Sequence, residues 1–397
     1  MVIKPKYRGF ICTTAHPEGC AENVTEQVEF VSGKSKVNGP KNVLVVGAST
    51  GYGLASRIVS SFSSDAKTIG VFFEKPSSTN STATAGWYNT VAFEELAHKR
   101  GCYAKSINGD AYSNEIKQST IELIKKDLGS IDLVVYSLAS PRRTDPFTKV
   151  TYNSAIKPIG KPFTNKTINF HTGEVSTVTI EPASEEEIKG TVSVMGGEDW
   201  YLWMEELKKA GVLSKGAKTV AFSYIGPELT HAIYTQGTMG KAKEHLQNTV
   251  SKIDSLLGDI EGKSYVSVNK ALVTQASSAI PVIPLYVSIL FKVMKEKNVH
   301  EGCIEQIYRL FADRLYNEPV ALDEQGRIRV DELEMQKDIQ DEVAKLWEAV
   351  NSDNVLELTD IEGYKKDFFK LFGFGFDNIS YDEDVDHTVA VPSLCTE

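Results

Sequence analysis

The stretch from Tyr234 to Lys243 brings a tyrosine and two lysines, Lys241 and Lys243, into one short segment. A tyrosine hydroxyl can donate a hydrogen bond to an oxygen that becomes anionic during a reaction, and a nearby ammonium group favours the same charge. The ammonium group can also bind the hydroxyls of a ribose. A nicotinamide-dependent reductase needs few other protein groups, because the cofactor carries the hydride.

The choice of this tyrosine depends on its position in the chain, since spacing alone is not selective. The same Tyr-x8-Lys spacing occurs at Tyr152 and Tyr286, and none of the sixteen tyrosines has the Tyr-x3-Lys spacing of ordinary short-chain dehydrogenases. Tyr234, however, follows an apolar strand predicted at residues 218–224 and leads into a helix predicted at 240–257. The alternative interpretation is a half-buried tyrosine with a structural role.

The residues leave open which lysine acts. On a continuous helix Lys241 returns to about the same face as Tyr234, whereas Lys243 lies roughly opposite. Gly237 and Gly240 are expected to break that helix, which would leave Tyr234 on a preceding loop and keep Lys243 as a candidate. Because residues two apart on a helix diverge by about 200°, at most one lysine can face the site.

A glycine-rich turn near the start of the chain indicates a dinucleotide site. The apolar strand predicted at Asn42–Val46 runs into Gly47, Gly51 and Gly53, which open onto small, helix-compatible residues. A strand, a tight turn and a helix N-terminus in this order present backbone N–H groups to a pyrophosphate. The spacing resembles that of short-chain dehydrogenases and reductases more than the commoner G-x-G-x-x-G.

Three further strand ends carry side chains that suit the same cofactor. Glu74 follows the strand predicted at 68–73, where a carboxylate can accept both hydroxyls of the adenosine ribose and repel a 2′-phosphate. The alternative is a surface glutamate. Asp110 follows the strand predicted at 103–107 and can accept from the adenine amino group. Leu138 and Ala139 follow the strand predicted at 133–137 and would let the cofactor approach the backbone.

The alternation of strands and helices predicts an α/β fold with a Rossmann-type, doubly wound parallel sheet. Helices are predicted at 93–100 and 113–127, and a further strand at 265–269. Residues 141–217 break the pattern, and we predict an insertion there that forms a substrate lid. Its aromatic residues near Trp200 could cover a substrate or pack the insertion onto the core. Residues 278–397 are predicted to be mainly helical, and the whole chain to form one enlarged domain, 1–397.

Composition excludes several classes of function. A net charge of −10 argues against a broad nucleic-acid interface. The most apolar run, 279–291, is too short to span a bilayer, and we expect no stable membrane insertion. The start lacks the apolar core of a signal peptide, and an odd number of cysteines fits a reducing cytoplasm. Cys12, His16 and Cys20 match no standard zinc spacing, so we predict free thiols and no metal.

Long matching stretches identify the chain as similar to the FabV-type enoyl-acyl-carrier-protein reductases and the prokaryotic trans-2-enoyl-CoA reductases. The matches occur in order along nearly the whole chain. They are Arg8-Gly-Phe-Ile-Cys12, Ala15-His-Pro-Glu-Gly-Cys20, Gly47-Ala-Ser-Thr-Gly-Tyr-Gly53, Gly86-Trp-Tyr-Asn89, Tyr136-Ser-Leu-Ala-Ser-Pro141, Met195-Gly-Gly-Glu-Asp-Trp200, Val273-Thr-Gln-Ala-Ser-Ser-Ala-Ile-Pro281 and His300-Glu-Gly-Cys-Ile-Glu-Gln306.

This resemblance implies specific roles for residues of the chain. The family's catalytic pair falls on Tyr234 and Lys243, and its second active-site tyrosine, which would contact the substrate thioester, on Tyr224. The family is described as monomeric and as preferring NADH. The cofactor contacts that it implies are Gly47, Ala48, Ser49, Thr50, Gly51, Tyr52, Phe73, Glu74, Asp110, Ala111, Leu138, Ala139, Lys243, Leu272, Val273 and Thr274.

The function expected from these residues and this resemblance is NADH-dependent reduction of the trans-2 double bond of an enoyl thioester. The carrier can be an acyl carrier protein, in fatty acid elongation, or CoA, in a fermentative pathway. Lys292, Lys295 and Lys297 could meet an acidic carrier protein or could form a solvated helix face. A rival from another class is a non-catalytic NADH-binding sensor. A third, an alcohol dehydrogenase or ketoreductase, is disfavoured because Tyr-x3-Lys is absent.

Overall fold

A seven-stranded parallel sheet forms the centre of the structure. The computed structural model describes residues 1–8 and 11–394. The described strands are β1 (Tyr7–Arg8), β2 (Ile11–Cys12), β3 (Asn42–Val46), β4 (Lys67–Phe72), β5 (Ala104–Asn108), β6 (Ile131–Tyr136), β7 (Arg142–Thr144), β8 (Thr151–Asn153), β9 (Phe163–Asn169), β10 (Glu174–Ile180), β11 (Leu213–Ser223), β12 (Lys263–Val268) and β13 (Ile328–Arg329). The sheet has the order β13-β12-β11-β6-β3-β4-β5, and its neighbouring strands are parallel.

Helices cover both faces of this sheet. They are α1 (Pro17–Ser32), α2 (Gly51–Ser63), α3 (Ala85–Lys99), α4 (Asn114–Asp127), α5 (Glu185–Met195), α6 (Glu198–Lys209), α7 (Glu228–His231), α8 (Thr238–Leu257), α9 (Gln275–Ser278), α10 (Ile283–Glu296), α11 (Cys303–Arg309), α12 (Lys337–Ala349), α13 (Val355–Leu358) and α14 (Ile361–Lys370). Short 3₁₀ helices lie at Gly258–Ile260 and Pro392–Leu394, and a π-helical turn at Leu310–Leu315.

The two helical layers form because the helices bury their apolar faces against opposite faces of the sheet. Helices α1, α2, α3 and α11 share one buried cluster with one face of the sheet, and α4, α6 and α8 share another with the opposite face. The central strand β3 is buried on both faces, which is why its sequence is a continuous Val and Leu run. The predicted doubly wound α/β fold is therefore confirmed.

One helix begins much earlier than the sequence pattern indicates. The helix predicted at 93–100 is the last part of α3, which starts at Ala85. Residues Ala85 to Glu94 are all buried, so this half of the helix has no polar face and no amphipathic period to detect. In contrast, Ser113 caps α4 as predicted, because its hydroxyl accepts from the backbone N–H of Ile116.

The segment after β6 contains two antiparallel hairpins, β7–β8 and β9–β10. The range predicted for the insertion, 141–217, also includes α6 and the first residues of β11, which belong to the sheet and its helical layer. Trp200 and Trp203 on α6 are fully buried against that layer. Their aromatic rings therefore pack α6 onto the core, which decides between the two interpretations of this segment.

The C-terminal third contains helices α10 to α14 and a short strand. The two-residue strand β13 pairs with β12 and forms the edge of the sheet, and it was too short to show a period in the sequence. Helix α10 is buried along nearly all its length, and α12 and α14 pack against it. The aromatic tail packs onto the same cluster through Phe368, Phe372 and Phe374.

The described cysteines, Cys12, Cys20, Cys102 and Cys303, are free thiols, and Cys395 lies outside the described residues. Residues 9 and 10 of the Arg8–Cys12 motif also lie outside them. The described ranges contain no cluster of three potential metal ligands. None of the described helices is both long and apolar enough to cross a membrane.

Candidate active site

Nearly all the predicted site residues lie at the carboxyl edge of the sheet. Apart from Tyr234 and Lys243, the predicted groups follow the ends of β3, β4, β5, β6, β11 and β12. Since these strands are parallel neighbours, their carboxyl ends meet at one edge. Residues that are more than 200 positions apart in the sequence are thereby brought to one crevice, as at Tyr52, whose hydroxyl donates to the Lys270 carbonyl at 3.2 Å.

The backbone angles and the surroundings of the glycines after β3 explain why glycine occupies these positions. Gly47 has φ +87°, and a Cβ there would lie 2.4 Å from the Ser137 carbonyl oxygen. A Cβ on Gly53 would lie 1.8 Å from the Gly47 carbonyl oxygen, so α2 packs directly on the turn. A Cβ on Gly51 would meet only a Thr274 methyl at 4.0 Å. The backbone at the start of α2 therefore faces open space.

That open space fits a pyrophosphate. Thr50 is the N-cap of α2, and its side chain makes no capping hydrogen bond. The first N–H groups of the helix remain available for an anion, and the helix dipole favours negative charge there. The loop from Gly47 to Tyr52 thus has the shape and the donors that the diphosphate of a dinucleotide needs.

Glu74 is held by a small set of polar contacts. Its Oε1 accepts from the Ser49 hydroxyl at 2.7 Å. The Asn108 amide accepts from the Glu74 N–H at 2.9 Å and donates to its carbonyl at 3.0 Å. A Cβ on Gly86 would lie 2.0 Å from Oε1, so only glycine leaves room for the carboxylate. Burial raises the pKa of Glu74, and hydrogen bonds from Thr84 and Ser49 oppose that shift.

The neighbouring strand ends differ in exposure. Phe73 is 76% exposed and offers a flat apolar surface beside Glu74. Asp110 accepts from the Tyr112 N–H at 3.0 Å, which fixes one carboxylate oxygen in a tight turn. Leu138 lies close to Gly47, and Ala139 is exposed after the end of β6. These residues line the edge where a dinucleotide would lie.

The loop after β12 closes the far side of the crevice. Leu272 and Val273 are buried, and Thr274 approaches Gly51 through its methyl group. Thr274 also caps the short helix α9 by accepting from the Ser277 N–H. The predicted contacts from Leu272 to Thr274 are therefore placed opposite the glycine turn, as a cofactor clamped between them requires.

Tyr234 lies on a turn that precedes α8 and is folded back onto it. The helix begins at Thr238, after Gly237. The N–H of Gly240 donates to the Tyr234 carbonyl at 2.9 Å, and a Cβ on Gly240 would lie 1.8 Å from the Thr235 carbonyl oxygen. Gly237 and Gly240 thus allow a turn between Tyr234 and α8, so Tyr234 and Lys243 do not lie on one continuous helix.

The side chain of Tyr234 is 8% exposed, and its ring meets the ring of Tyr224 edge to face with centroids 5.0 Å apart. Burial raises the pKa of Tyr234, so its hydroxyl carries a proton at neutral pH. Within the described residues that hydroxyl has no hydrogen-bond partner. It is therefore free to donate to a bound molecule.

The two lysines of α8 face different surroundings. Lys243 points inward and donates from Nζ to the Phe222 carbonyl at 2.9 Å, at the end of β11. Desolvation by burial lowers its pKa to about 8. Lys241 is exposed and forms an ion pair with Glu244 at 2.9 Å. Only Lys243 can therefore contribute to the crevice.

Tyr224 has a partner that the sequence did not suggest. Its hydroxyl donates to Oε1 of Glu334 at 3.1 Å, although 110 residues separate the two. Glu334 is completely buried. Sequence reasoning also missed Asn108 and the packing reason for Gly86. A polar residue at the end of a strand was a usable signal for Asn108, whereas Glu334 lies in an acidic segment with nothing to distinguish it.

Comparison with known proteins agrees with this geometry. A model of the trans-2-enoyl-CoA reductase catalytic region matches residues 81–316, and a model of the NAD(P)H-binding domain of the same enzymes matches residues 2–79. A trans-2-enoyl-CoA reductase (NADH) of Ruminiclostridium cellulolyticum is 61% identical over 99% of this chain and 100% of its own length. An enoyl-acyl-carrier-protein reductase (NADH) of Cytophaga hutchinsonii is likewise 61% identical, with the same coverage.

Solved structures are similar over nearly the whole chain. The Clostridium acetobutulicum trans-2-enoyl-CoA reductase in complex with NADH superposes with a TM-score of 0.95 at 46% identity, covering 98% of both chains. The Treponema denticola trans-2-enoyl-CoA reductase in complex with NAD gives a TM-score of 0.92 at 50% identity, covering 97% of this chain and 98% of the other.

The fold and the crevice define a Rossmann-type, dinucleotide-dependent oxidoreductase. Both the matching family models and the relatives above point to one group within that class. The chain belongs to the trans-2-enoyl-CoA reductase family, which includes enoyl-acyl-carrier-protein reductases that use NADH. The resemblance noted from the sequence is thereby confirmed.

A third family model, named for a flavin-binding domain of enoyl reductases, matches residues 322–385. The described residues of this segment do not fit a flavin site. Strand β13 is followed by residues 330–336, which contain no glycine to cradle a phosphate before α12. The buried residues of α12 and α14 pack instead against α10.

Proposed function

We propose that this protein reduces the trans-2 double bond of enoyl thioesters with NADH, with Tyr234 and Lys243 as its catalytic residues. The observation that carries the assignment is the pair of inward-facing groups: Tyr234, whose hydroxyl has no hydrogen-bond partner within the described residues, and Lys243, which reaches the Phe222 carbonyl at the carboxyl end of β11. A reductase needs such a donor at the oxygen that becomes anionic. An NADH-binding sensor would need neither group.

In this mechanism bound NADH supplies a hydride to the β-carbon of the substrate. Negative charge then develops on the thioester oxygen, as an enolate. Tyr234 donates its hydrogen bond to that oxygen and helps to deliver the proton. Lys243 holds the nicotinamide ribose through its ammonium group and favours the negative charge. Tyr224 contacts the thioester from the position where its ring meets that of Tyr234.

The cofactor site that we propose consists of the strand-end residues described above. The turn from Gly47 to Tyr52 would hold the pyrophosphate, and Phe73, Glu74, Asp110 and Ala111 would hold the adenosine. Leu138, Ala139 and the loop from Leu272 to Thr274 would hold the rest of the cofactor. All these residues belong to one chain, so we propose that the enzyme works as a monomer. We also propose that it works in the cytoplasm, which fits the free thiols of the described cysteines.

Glu74 should set the preference for NADH over NADPH. Replacing Glu74 with serine should narrow the gap between the two cofactors in kcat/KM by about tenfold, because a carboxylate would repel the 2′-phosphate at close range. Steady-state assays with each cofactor measure the change. Glu95→Ser, which replaces an exposed glutamate on α3, serves as the control. A native enzyme that already uses both cofactors equally would contradict this role.

The acyl chain of the substrate has an apolar surface available. Tyr234 belongs to the same buried cluster as Ile280, Val282 and Ile283, at the start of α10. The insertion reaches this region too, because the Thr238 N–H at the start of α8 donates to the Lys157 carbonyl at 3.0 Å. We propose that the chain binds between α10 and this part of residues 141–217, which acts as a lid.

Two carriers of the enoyl group are candidates, CoA and the acyl carrier protein. Relatives of equal identity are named for CoA and for the acyl carrier protein. Lys292, Lys295 and Lys297 are each paired with an acidic residue of this chain, which supports a helix face rather than a carrier-binding patch. We propose that the enzyme accepts both kinds of thioester.

One assay tests both the activity and the carrier. NADH oxidation by the purified protein should be measured with crotonyl-CoA, a longer enoyl-CoA and an enoyl-acyl carrier protein. We expect turnover with all three, and the ratio of their kcat/KM values identifies the preferred carrier. If the protein binds NADH but turns over none of them, the sensor interpretation is favoured instead.

A further inference from the structure

A buried carboxylate joins three elements at the substrate side of the crevice. Glu334 lies in the turn between β13 and α12 and is completely buried. Its Oε1 accepts from the hydroxyl of Tyr286 on α10 at 2.6 Å and from the hydroxyl of Tyr224 at 3.1 Å. Its Oε2 accepts from the Ala271 N–H, at 2.6 Å, in the loop after β12. Both oxygens are therefore engaged by groups that border the site.

The hydrogen bond to Tyr224 has a chemical consequence. A tyrosine hydroxyl has one proton, and a proton donated to Glu334 cannot also be donated to the thioester oxygen. An ionised carboxylate is the stronger acceptor and keeps that proton. A protonated carboxyl group is a weaker acceptor and becomes a donor itself, which frees the Tyr224 proton to turn toward a substrate oxygen.

We propose that Glu334 is a positioning residue that sets the direction of the Tyr224 hydroxyl, so that Tyr224 helps Tyr234 bind the thioester oxygen only while Glu334 carries a proton. This inference rests on the proposed reductase activity. It adds a residue whose effect on the reaction passes through Tyr224 rather than through direct contact with the substrate.

The groups around Glu334 determine where it titrates. Burial raises its pKa, the nearby Lys270 ammonium and the hydrogen bonds from Tyr286 and Ala271 lower it, and Asp331 raises it further. The net pKa lies above the usual range of a glutamate. Gln340 on α12 contributes neutral donors, to the Glu334 carbonyl at 2.7 Å and to the Tyr286 hydroxyl at 3.3 Å. Turnover should therefore fall as pH rises through this raised pKa.

A glutamine at this position imitates the protonated state. The buried Ala271 N–H requires an acceptor, so the amide oxygen should take the place of Oε2. The amide nitrogen then faces Tyr224 and Tyr286 and donates to their oxygens. In Glu334→Gln the Tyr224 proton is therefore directed away from residue 334 at every pH.

The test is the pH profile of kcat/KM for an enoyl thioester at saturating NADH. We expect the rate of the native enzyme to fall roughly tenfold as Glu334 loses its proton. A single hydrogen-bond donor to the oxyanion accelerates a reaction by about 10²- to 10³-fold, and a second donor to the same oxygen contributes less. Glu334→Gln should lack this step and keep only the separate decline near pH 8 that loss of the Lys243 charge produces. Tyr224→Phe should lack the same step, at the lower rate.

A buried carboxylate elsewhere provides a matched control. Glu94 is completely buried and accepts from the hydroxyls of Ser106 and Ser393. Glu94→Gln should lower the melting temperature while the pH profile stays native. A Glu334→Gln or Tyr224→Phe profile that has as many steps as the native profile overturns the proposal. A native protein that oxidises NADH with none of the thioesters refutes the proposed function, and this inference with it.

Discussion

Replacing Tyr234 with phenylalanine should lower turnover by about 10²- to 10³-fold, which corresponds to roughly 3 to 4 kcal/mol. The substitution removes one hydroxyl and keeps the ring, so the edge-to-face contact with Tyr224 should survive. The loss should appear in kcat because the hydroxyl binds the oxygen only as charge develops on it. Steady-state NADH oxidation measures the effect.

Two further measurements make this test specific. NADH affinity, followed by cofactor fluorescence, should be close to native, since Tyr234 contacts substrate rather than the cofactor in the proposed mechanism. Tyr308→Phe is the matched control, because the Tyr308 hydroxyl donates to the Ser35 carbonyl away from the crevice. Near-native turnover by Tyr234→Phe would remove this residue from the mechanism and make Tyr224 the leading donor.

Replacing Lys243 with methionine should reduce turnover and also weaken NADH binding, each by about 10- to 100-fold. The estimate follows from the loss of charged hydrogen bonds, worth about 1.5 to 3 kcal/mol, to the ribose. Lys241→Met should be mild, because Lys241 is exposed and paired with Glu244. NADH titration and steady-state rates for both variants decide between the lysines, and the reverse pattern would restore Lys241.

The pH dependence of NADH binding provides an independent check on Lys243. Desolvation lowers the pKa of Lys243 to about 8 in the free protein. The ammonium group is present below that pH and lost above it, so NADH affinity should decline as pH rises through about 8. The decline should be absent from Lys243→Met and unchanged in Lys241→Met. A native affinity that is constant from pH 7 to 9 would show that the charge of Lys243 is not needed.

The roles of Lys243 and Glu334 predict separate effects on the same enzyme. Lys243 acts on the cofactor, and its titration should be visible in NADH binding as well as in turnover. Glu334 acts through Tyr224, and its titration should be visible only in the reaction of the thioester. Measuring both quantities on each variant therefore distinguishes cofactor binding from orientation of the substrate.

The amino-acid sequence by itself determined the cofactor half of this protein. The Val and Leu run of β3, the three glycines and Glu74 lie within about thirty residues, and their order of strand, turn, helix and strand end is a local pattern that indicates a dinucleotide site. The alternation of apolar strands with helices likewise defined the doubly wound sheet. Where a helix has no polar face, as in the first half of α3, the pattern was lost.

The tertiary structure alone decided the substrate half. The residues by themselves left Lys241 and Lys243 open and only the family resemblance favoured Lys243, whereas its inward position follows the turn at Gly237 and Gly240. The pairing of Tyr224 with Glu334 joins residues 110 positions apart. A local sequence pattern records how a segment meets water and the core, but it does not record which distant buried group completes a hydrogen bond.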